Sequence, residues 1–224
     1  MFDVEAIVVT LKLACLTVML LTLIGLPLAW WLANNRSAFK VLIEAVTALP
    51  LVLPPTVLGF YLLLLLGSKG ALGQAWQSLT GQPLAFTFSG LLLASCLYSL
   101  PFVVQPLQAA FEKLDRNALE ASWTLGASRP RAFFTVVVPQ IRRGLITAVV
   151  LGFAHTVGEF GVVLMVGGNI AGVTKVISIS IYEQVEMLEY GKAHAMAALL
   201  LVFSFIVLFM VYAVNRRWQV GVRA

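Results

Sequence analysis

Residues 13–35 read LACLTVMLLTLIGLPLAWWLANN, a run of 23 positions without a charged side chain. A helix needs about 20 consecutive apolar residues to cross the hydrocarbon core of a bilayer. Four later runs repeat the pattern, at 45–68, 70–111, 144–174 (where Glu159 is the only charge) and 193–215. These runs predict an all-α, polytopic membrane protein with little mass outside the bilayer.

The composition excludes a water-soluble enzyme. Of the 224 residues, 60% are hydrophobic and 11% are charged, whereas a soluble domain carries about 25% charged residues. The net charge of +5 comes from Lys and Arg in short segments between the apolar runs, a distribution that orients membrane helices and builds no nucleic-acid-binding face. No Gly-x4-Gly-Lys-Ser/Thr sequence occurs, so no phosphate cradle for ATP is expected. We expect no catalytic residue, metal site or cofactor in this chain.

Apolar length and helix breakers together predict five spanning helices in a single transmembrane domain, 1–224. Their expected ranges are 7–33, 44–66, 85–110, 144–167 and 194–214. Eleven Lys and Arg fall on one side of this arrangement and four on the other. Because positive residues stay on the cytoplasmic side, the N-terminus is expected outside, and the 112–143 loop and the C-terminus are expected in the cytoplasm. Residues 168–193 are then an extracytoplasmic segment, partly helical and partly re-entrant.

Prolines and glycines interrupt the second apolar run and the stretch after it. Pro50, Pro54 and Pro55 lie within the run, and each removes a backbone donor and clashes with the preceding turn. A helix broken at membrane depth is tolerated only against protein or a water-filled cavity. The run is therefore either a kinked packing helix or a helix bent beside a translocation path. Four glycines and a proline within 67–83 predict a loop before the third helix.

Glu159 is the one charged residue within the fourth apolar run. An ionised side chain costs about 3 kcal/mol at this depth, so it should face protein or water. His155 lies one turn earlier on the same face, and a hydrogen-bonded pair of these side chains fits better than a metal site, which would lack a third ligand. Gly158 and Gly161 flank Glu159 and permit a local break or a close helix approach.

The same run carries a strip of small residues at Gly144, Ala148 and Gly152. Such spacing lets helix backbones approach closely. The strip is therefore interpreted either as core packing within the subunit or as a contact between two copies.

Residues 112–143 form the only sizeable polar stretch. Apolar residues recur at helical spacing over 112–125 and predict an amphipathic helix there. Gly126 is placed to end that helix in the left-handed conformation. A second short helix is expected over 130–138, with Pro139 ending it. A helix–Gly–helix of this kind either lies on the membrane or inserts into a partner.

The same stretch resembles the EAA motif of binding-protein-dependent ABC importer permeases. That motif reads Glu-Ala-Ala, three residues, Gly, nine residues, then an aliphatic–x–aliphatic–Pro ending. Here Glu120-Ala121-Ser122 is followed by Gly126 and by VVVP at 136–139, and Ser122 replaces the second Ala. The resemblance implies coupling helices that dock on a separate ATPase subunit. It assigns that role to Glu120, Ala121, Ser122, Gly126, Phe133 and Pro139.

A second resemblance narrows the substrate. LPLVLPPTVLG at 49–59, GEFG at 158–161 and GNIAGVT at 168–174 are similar to molybdate permeases. Sulfate/thiosulfate permeases carry a related Gly-Glu-Phe-Gly stretch, so a sulfate importer is the alternative. An ion-gradient-driven carrier is the alternative from another class, but no internal repeat favours it.

The resemblance also implies a fold, an assembly and a location. It implies the type I ABC importer permease fold in the bacterial inner membrane, built as a homodimer in contact with lipid. The other expected partners are two cytoplasmic ATPase subunits, which hold ATP and Mg, and a periplasmic molybdate-binding protein. The residues expected on the translocation path or gate are Pro54, Pro55, Thr56, Thr156, Gly158, Glu159 and Gly161.

Overall fold

The structure is a computed structural model that describes residues 3–220, and all regular structure in this part of the chain is helical. Four helices are long and apolar enough to cross a membrane, and a bent pair of shorter helices is a candidate for a fifth span. The all-α, multi-pass prediction is therefore confirmed. In chain order the helices are α1 Val4–Asn34, α2 Ala38–Val52, α3 Pro55–Leu66, α4 Ala71–Thr80, α5 Phe88–Glu112, α6 Arg116–Thr124, α7 Arg129–Ala132, α8 Val138–Val157, α9 Gly161–Gly167, α10 Ile177–Glu186 and α11 Tyr190–Val220.

The helix α5 lies at the centre of the fold, between α1 and α8. Its residues Val103, Val104 and Leu107 are fully buried, and they share one apolar cluster with Leu21 of α1 and Ala148 of α8. Burial of apolar side chains stabilises a fold by about 25 cal/mol per Å² removed from solvent. This three-helix core is the frame on which the shorter helices are held.

The second predicted span is not one helix. Its two halves, α2 and α3, are bent by 116° at a short break. Leu53 and Pro54 each precede a proline, and both have a ψ of 136°, because a residue before proline is driven out of the helical region. Pro50, in contrast, lies inside α2. Two consecutive prolines therefore make the break, and the third is tolerated.

The stretch predicted as a loop between the second and third spans contains the helix α4. Gly70 precedes its first residue, and Gly81 follows its last residue with a φ of 71°. Glycine is favoured in this left-handed conformation at the end of a helix. The glycines were a correct signal for the ends of an element, but the prediction of a loop without a helix is wrong.

The helix predicted to end at Pro139 continues into the membrane. Residues 129–157 run as one helix of 29 residues, which joins α7, a π-helical turn at Phe133–Val137 and α8. In that turn the Val138 N–H donates to the carbonyl of Phe133, five residues back. Pro139 sits in the first turn of α8, and the wider π-helical turn before it accommodates the missing donor. The prediction of a helix end at Pro139 is wrong.

The helix predicted over 112–125 is divided as well. Glu112 ends α5, and α6 begins at Arg116 after a turn. Asp115 caps the new helix, because its carboxylate accepts the N–H of Asn117 at 3.0 Å. Arg223, one of the eleven Lys and Arg expected on the cytoplasmic side, lies outside the described residues.

The strip of small residues on α8 packs inside the chain. A Cβ added at Gly144 would lie 2.3 Å from Cβ of Ala110, and one added at Gly152 would lie 2.6 Å from Cγ2 of Val103. Both neighbours belong to α5, and Ala148 between the two glycines is fully buried. The interpretation as core packing is correct for this strip, and the interpretation as a contact between copies is wrong.

Candidate functional site

Two helix breaks face each other in the structure. One is the proline break before α3, and the other is the segment Gly158–Phe160 between α8 and α9. A Cβ added at Gly161 would lie 2.8 Å from Cβ of Pro55, so only glycine allows the two breaks to approach this closely. The local break that the glycines flanking Glu159 predicted is present.

A cavity of about 520 Å³ opens between the two breaks. It is lined by five of the residues predicted for the pathway, which are Pro55, Thr56, Gly158, Glu159 and Gly161. The other two lie elsewhere: Pro54 is exposed at the break, and Thr156 is buried in the helix contact with α5. Their role in transport remains a prediction.

The side chain of Glu159 is almost fully buried, with 3% of its surface exposed. Its Oε2 accepts a hydrogen bond from Ser95 of α5 at 2.9 Å, and its backbone carbonyl accepts one from Ser178 of α10. Its Oε1 has no hydrogen-bond partner among the described residues. Hydrogen bonds of Glu159 therefore hold the break between α8 and α9 against α5 and α10. The Oε1 of Glu159 remains beside the cavity without a hydrogen bond from the described residues.

The sequence predicted a hydrogen-bonded pair of Glu159 and His155, but the structure does not contain this pair. His155 Nδ1 lies 2.9 Å from Oγ of Ser99, and its ring is stacked on Phe102 with centroids 3.8 Å apart. The predicted pair is wrong because each of the two side chains finds its own serine on α5.

The hydrogen-bond chain below His155 determines which ring nitrogen carries hydrogen. Thr156 Oγ1 donates to the carbonyl of Gly152 at 2.9 Å, and Ser99 Oγ lies 3.0 Å from Thr156 Oγ1. Since a hydroxyl has one hydrogen and a carbonyl can only accept, Ser99 must donate to Thr156. His155 Nδ1 must then donate to Ser99, an assignment made from the network of contacts. In the neutral form of the imidazole, the lone pair then lies on Nε2.

The cavity thus presents acceptors rather than charged donors. Glu159 Oε1 is an acceptor without a partner among the described residues, and no Lys or Arg lines the cavity. Among the side chains that line the cavity, the hydroxyl groups of Thr56 and Tyr98 could donate hydrogen bonds to an oxyanion. This arrangement suits weak contact with a passing anion and does not suit tight binding.

The sequence analysis missed the two serines of α5. Ser95 and Ser99 are both fully buried, and they bond Glu159 and His155 respectively. Their spacing of four residues matches the spacing of the two residues they bind, because residues one turn apart share a helix face. Two polar residues at that spacing within an apolar run were the available signal.

The segment that resembles the EAA motif forms a sharp turn between α6 and α7. Gly126 has a φ of 84°, as predicted for the residue that ends the first helix in the left-handed conformation. The turn is closed by a hydrogen bond of 3.0 Å from the Ala127 N–H to the Ser122 carbonyl. At its tip the side chain of Leu125 is 88% exposed. The turn therefore offers apolar surface away from the core.

The same segment is anchored to the three-helix core from its inner side. Leu119, Ala132 and Val137 are buried in the cluster that α1, α5 and α8 share, and Phe133 packs against it. Among the other motif residues, Glu120 and Ala121 are exposed, Pro139 is exposed at the start of α8, and the Ser122 hydroxyl donates to the carbonyl of Leu119. The arrangement places a rigid knob on the end of the helix bundle.

An ion-pair network closes the opposite end of the bundle. Lys175 Nζ lies 3.2 Å from Asp3 Oδ2 and also pairs with Glu183. Burial alone lowers the pKa of Lys175, but its hydrogen bonds to Glu183 and Asp3 outweigh burial and raise this pKa above its usual value. The lysine is therefore charged and neutralised by two carboxylates. It ties the start of α1 to the α9–α10 segment and is not a free cation for an anionic solute.

An all-helical, multi-pass chain with a cavity at two helix breaks and a knob of the EAA type is a transport permease. Residues 25–220 match the family described as "Binding-protein-dependent transport system inner membrane component", and the chain belongs to this family. It is thus a membrane transport component, as the sequence predicted.

Relatives and solved structures agree with this placement. The chain is 56% identical to the molybdenum transport system permease protein ModB of Azotobacter vinelandii, over 98% of this chain and 96% of that protein. It is 34% identical to the sulfate transport system permease protein CysT of Escherichia coli, over 87% of this chain and 70% of that protein. A bacterial ABC transporter that imports alginate aligns with a TM-score of 0.74 and 18% identity, over 96% of this chain and 79% of that chain. At that identity the likeness shows the fold alone, and it confirms the predicted ABC importer permease fold.

Proposed function

We propose that this chain is the permease subunit of an ATP-driven importer that carries molybdate, or the related tungstate, into the cytoplasm. The observation that carries the proposal is the 56% identity over nearly the whole length to a molybdenum permease. The EAA-type knob supports the importer class, because its shape suits insertion into a groove on a partner.

The proposed assembly contains two copies of this chain and two cytoplasmic ATPase subunits. ATP and Mg belong to the ATPase subunits, and this chain holds no cofactor. A periplasmic binding protein delivers molybdate to the outer face, and the complex resides in the bacterial inner membrane. The cavity of about 520 Å³ at the helix breaks is small beside a path across a hydrocarbon core about 30 Å thick, and this supports a pathway between two copies.

Coupling follows from the continuity of one helix. Residues 129–157 form a single helix of 29 residues, which is about 43 Å long at 1.5 Å per residue. The knob lies at one end of this helix, and the break at Gly158–Phe160 lies at the other. A displacement of the knob by the ATPase is therefore transmitted to the cavity, and alternating access results from movement at the break.

Sulfate transport is the second candidate, because the chain is 34% identical to a sulfate permease over 87% of its length. Both ions are tetrahedral dianions, so the hydroxyl groups lining the cavity do not distinguish them by charge. Selection is then the task of the binding protein.

Uptake by reconstituted vesicles tests the proposal. The chain would be combined with its ATPase and binding protein in vesicles, with ATP on the side of the membrane that carries the ATPase. Accumulation of labelled molybdate and of labelled sulfate on that side would then be measured. We expect ATP-dependent uptake of molybdate, with little uptake of sulfate at equal concentration. Uptake of sulfate in preference to molybdate, or uptake driven by an ion gradient without ATP, would contradict it.

Glu120 is expected to contribute to ATPase binding. It is exposed on α6, next to the turn at Gly126, so Glu120→Ala should weaken assembly with the ATPase several-fold without changing folding. Co-purification yield and the permease-dependent ATPase rate are the measurements. Glu112→Ala is the matched control, since Glu112 is also exposed but lies outside the motif, and it should leave both measurements unchanged.

The isolated permease is expected to bind molybdate only weakly. A site that is too tight would retain the ion, and transport requires release. Calorimetric titration of the purified permease should give no submicromolar binding, whereas the binding protein should bind tightly under the same conditions. Submicromolar binding by the permease alone would overturn the proposed division of labour.

A further inference from the structure

A second cavity lies away from the helix breaks, between the end of α1 and the knob. It is a groove of about 640 Å³. One wall comes from α1 and the other from the segment that carries the EAA-type motif. The lining residues that matter here are Leu26, Pro27, Trp30, Trp123, Arg129 and Phe133.

The groove adjoins an exposed apolar stripe of the spanning helix α1. Leu23 of this spanning helix is 72% exposed, and Trp31 two turns later is also exposed. Pro27 lies between them at the same helical spacing, is exposed, and lines the groove. An acyl chain that lies along this stripe can therefore enter the groove beside Pro27.

The groove combines this apolar wall with a single positive charge. Arg129 is the only charged residue that lines it, and its guanidinium forms no hydrogen bond or ion pair with the side chains that the structure describes. Trp30 lies four residues before the end of α1, about 6 Å along the helix, and Trp is enriched where the hydrocarbon meets the headgroups. On the side expected to be cytoplasmic, basic pockets between helices attract anionic headgroups.

We propose that this groove binds an anionic glycerophospholipid. The lipid phosphate pairs with the guanidinium of Arg129, and one acyl chain lies against Leu26, Pro27 and Phe133. Because α1 forms one wall and the coupling knob the other, the bound lipid fills the space between the spanning bundle and the knob. This site is separate from the cavity at the helix breaks and does not depend on which oxyanion is carried.

Native mass spectrometry of the intact permease–ATPase complex tests the site. Phosphatidylglycerol and phosphatidylcholine of identical chains are added in turn, and bound lipids are counted. We expect phosphatidylglycerol to be favoured by about fivefold, because its headgroup carries a net negative charge, whereas the choline group of phosphatidylcholine offsets the charge of the phosphate. Arg129→Gln should remove this preference, and Arg129→Lys should keep most of it.

Arg131→Gln is the matched control, because Arg131 lies in the same short helix and is exposed but does not line the groove. It should leave the preference unchanged. An equal loss in the Arg129 and Arg131 variants would mean that only general surface charge attracts lipid, and the proposal would fail. It would also fail if the two lipids bound equally to the wild-type complex, or if millimolar inorganic phosphate displaced phosphatidylglycerol.

Discussion

Valine in place of Gly126 is expected to reduce ATP-driven molybdate uptake to the background level. Gly126 has a φ of 84°, and a residue other than glycine costs about 1–3 kcal/mol in that conformation, with β-branched residues at the upper end. An added Cβ would meet no atom within 4 Å, so the effect comes from the backbone alone. The turn would rearrange, and the knob would lose the shape that fits its partner. Vesicle uptake and the permease-dependent ATPase rate are the measurements.

Two controls separate coupling from general destabilisation. Gly81 has a φ of 71° and also meets nothing within 4 Å of an added Cβ, so Gly81→Val carries the same backbone cost outside the knob. It should preserve the ratio of uptake to ATP hydrolysis. Gly126→Asn should retain much of the transport, because asparagine adopts the left-handed conformation more readily. Wild-type uptake by Gly126→Val would show that the turn is not needed for coupling.

Leucine in place of Glu159, at the break between α8 and α9, is also expected to abolish uptake. The carboxylate joins the break between α8 and α9 to Ser95, and leucine cannot accept that hydrogen bond. The hydroxyl of Ser95 would be left buried without its partner, which costs about 1–3 kcal/mol. The break would no longer be fixed against α5. Uptake in vesicles, normalised to the amount of folded protein, is the measurement.

Glutamine at the same position separates hydrogen bonding from charge. Its amide oxygen can accept from Ser95, so Glu159→Gln should keep much of the transport. Ser95→Ala should lower uptake in the wild type. In thermal unfolding, the double variant Ser95→Ala/Glu159→Leu should lose less stability than the sum of the two single losses, since the two residues act through one bond. If Glu159→Gln were as inactive as Glu159→Leu, the negative charge itself would be required, and a purely positioning role would be wrong.

Local sequence was sufficient for the features that depend on residues close together in the chain. The apolar runs predicted the spanning segments because length and hydrophobicity alone decide whether a helix can cross a bilayer. Consecutive prolines predicted the break before α3, and glycines around Glu159 predicted the break after α8, because backbone sterics act within a turn. The left-handed turn at Gly126 was predicted for the same reason.

Features that join distant parts of the chain required the tertiary structure. The pairing of Glu159 with Ser95 spans 64 positions, and it replaced the local pair with His155 because α5 brings two serines into register with α8. The strip at Gly144 and Gly152 was ambiguous by itself, and only the position of α5 showed that it packs within the subunit. Pro139 does not end its helix. The π-helical turn that precedes it packs against the core, and the helix continues past the proline. Local backbone preference and hydrophobicity were enough to establish the spanning segments and the breaks at Pro54-Pro55 and beside Glu159. The tertiary structure decided which breaks meet and which helix connects the knob to the cavity, because those depend on contacts that no short stretch of sequence contains.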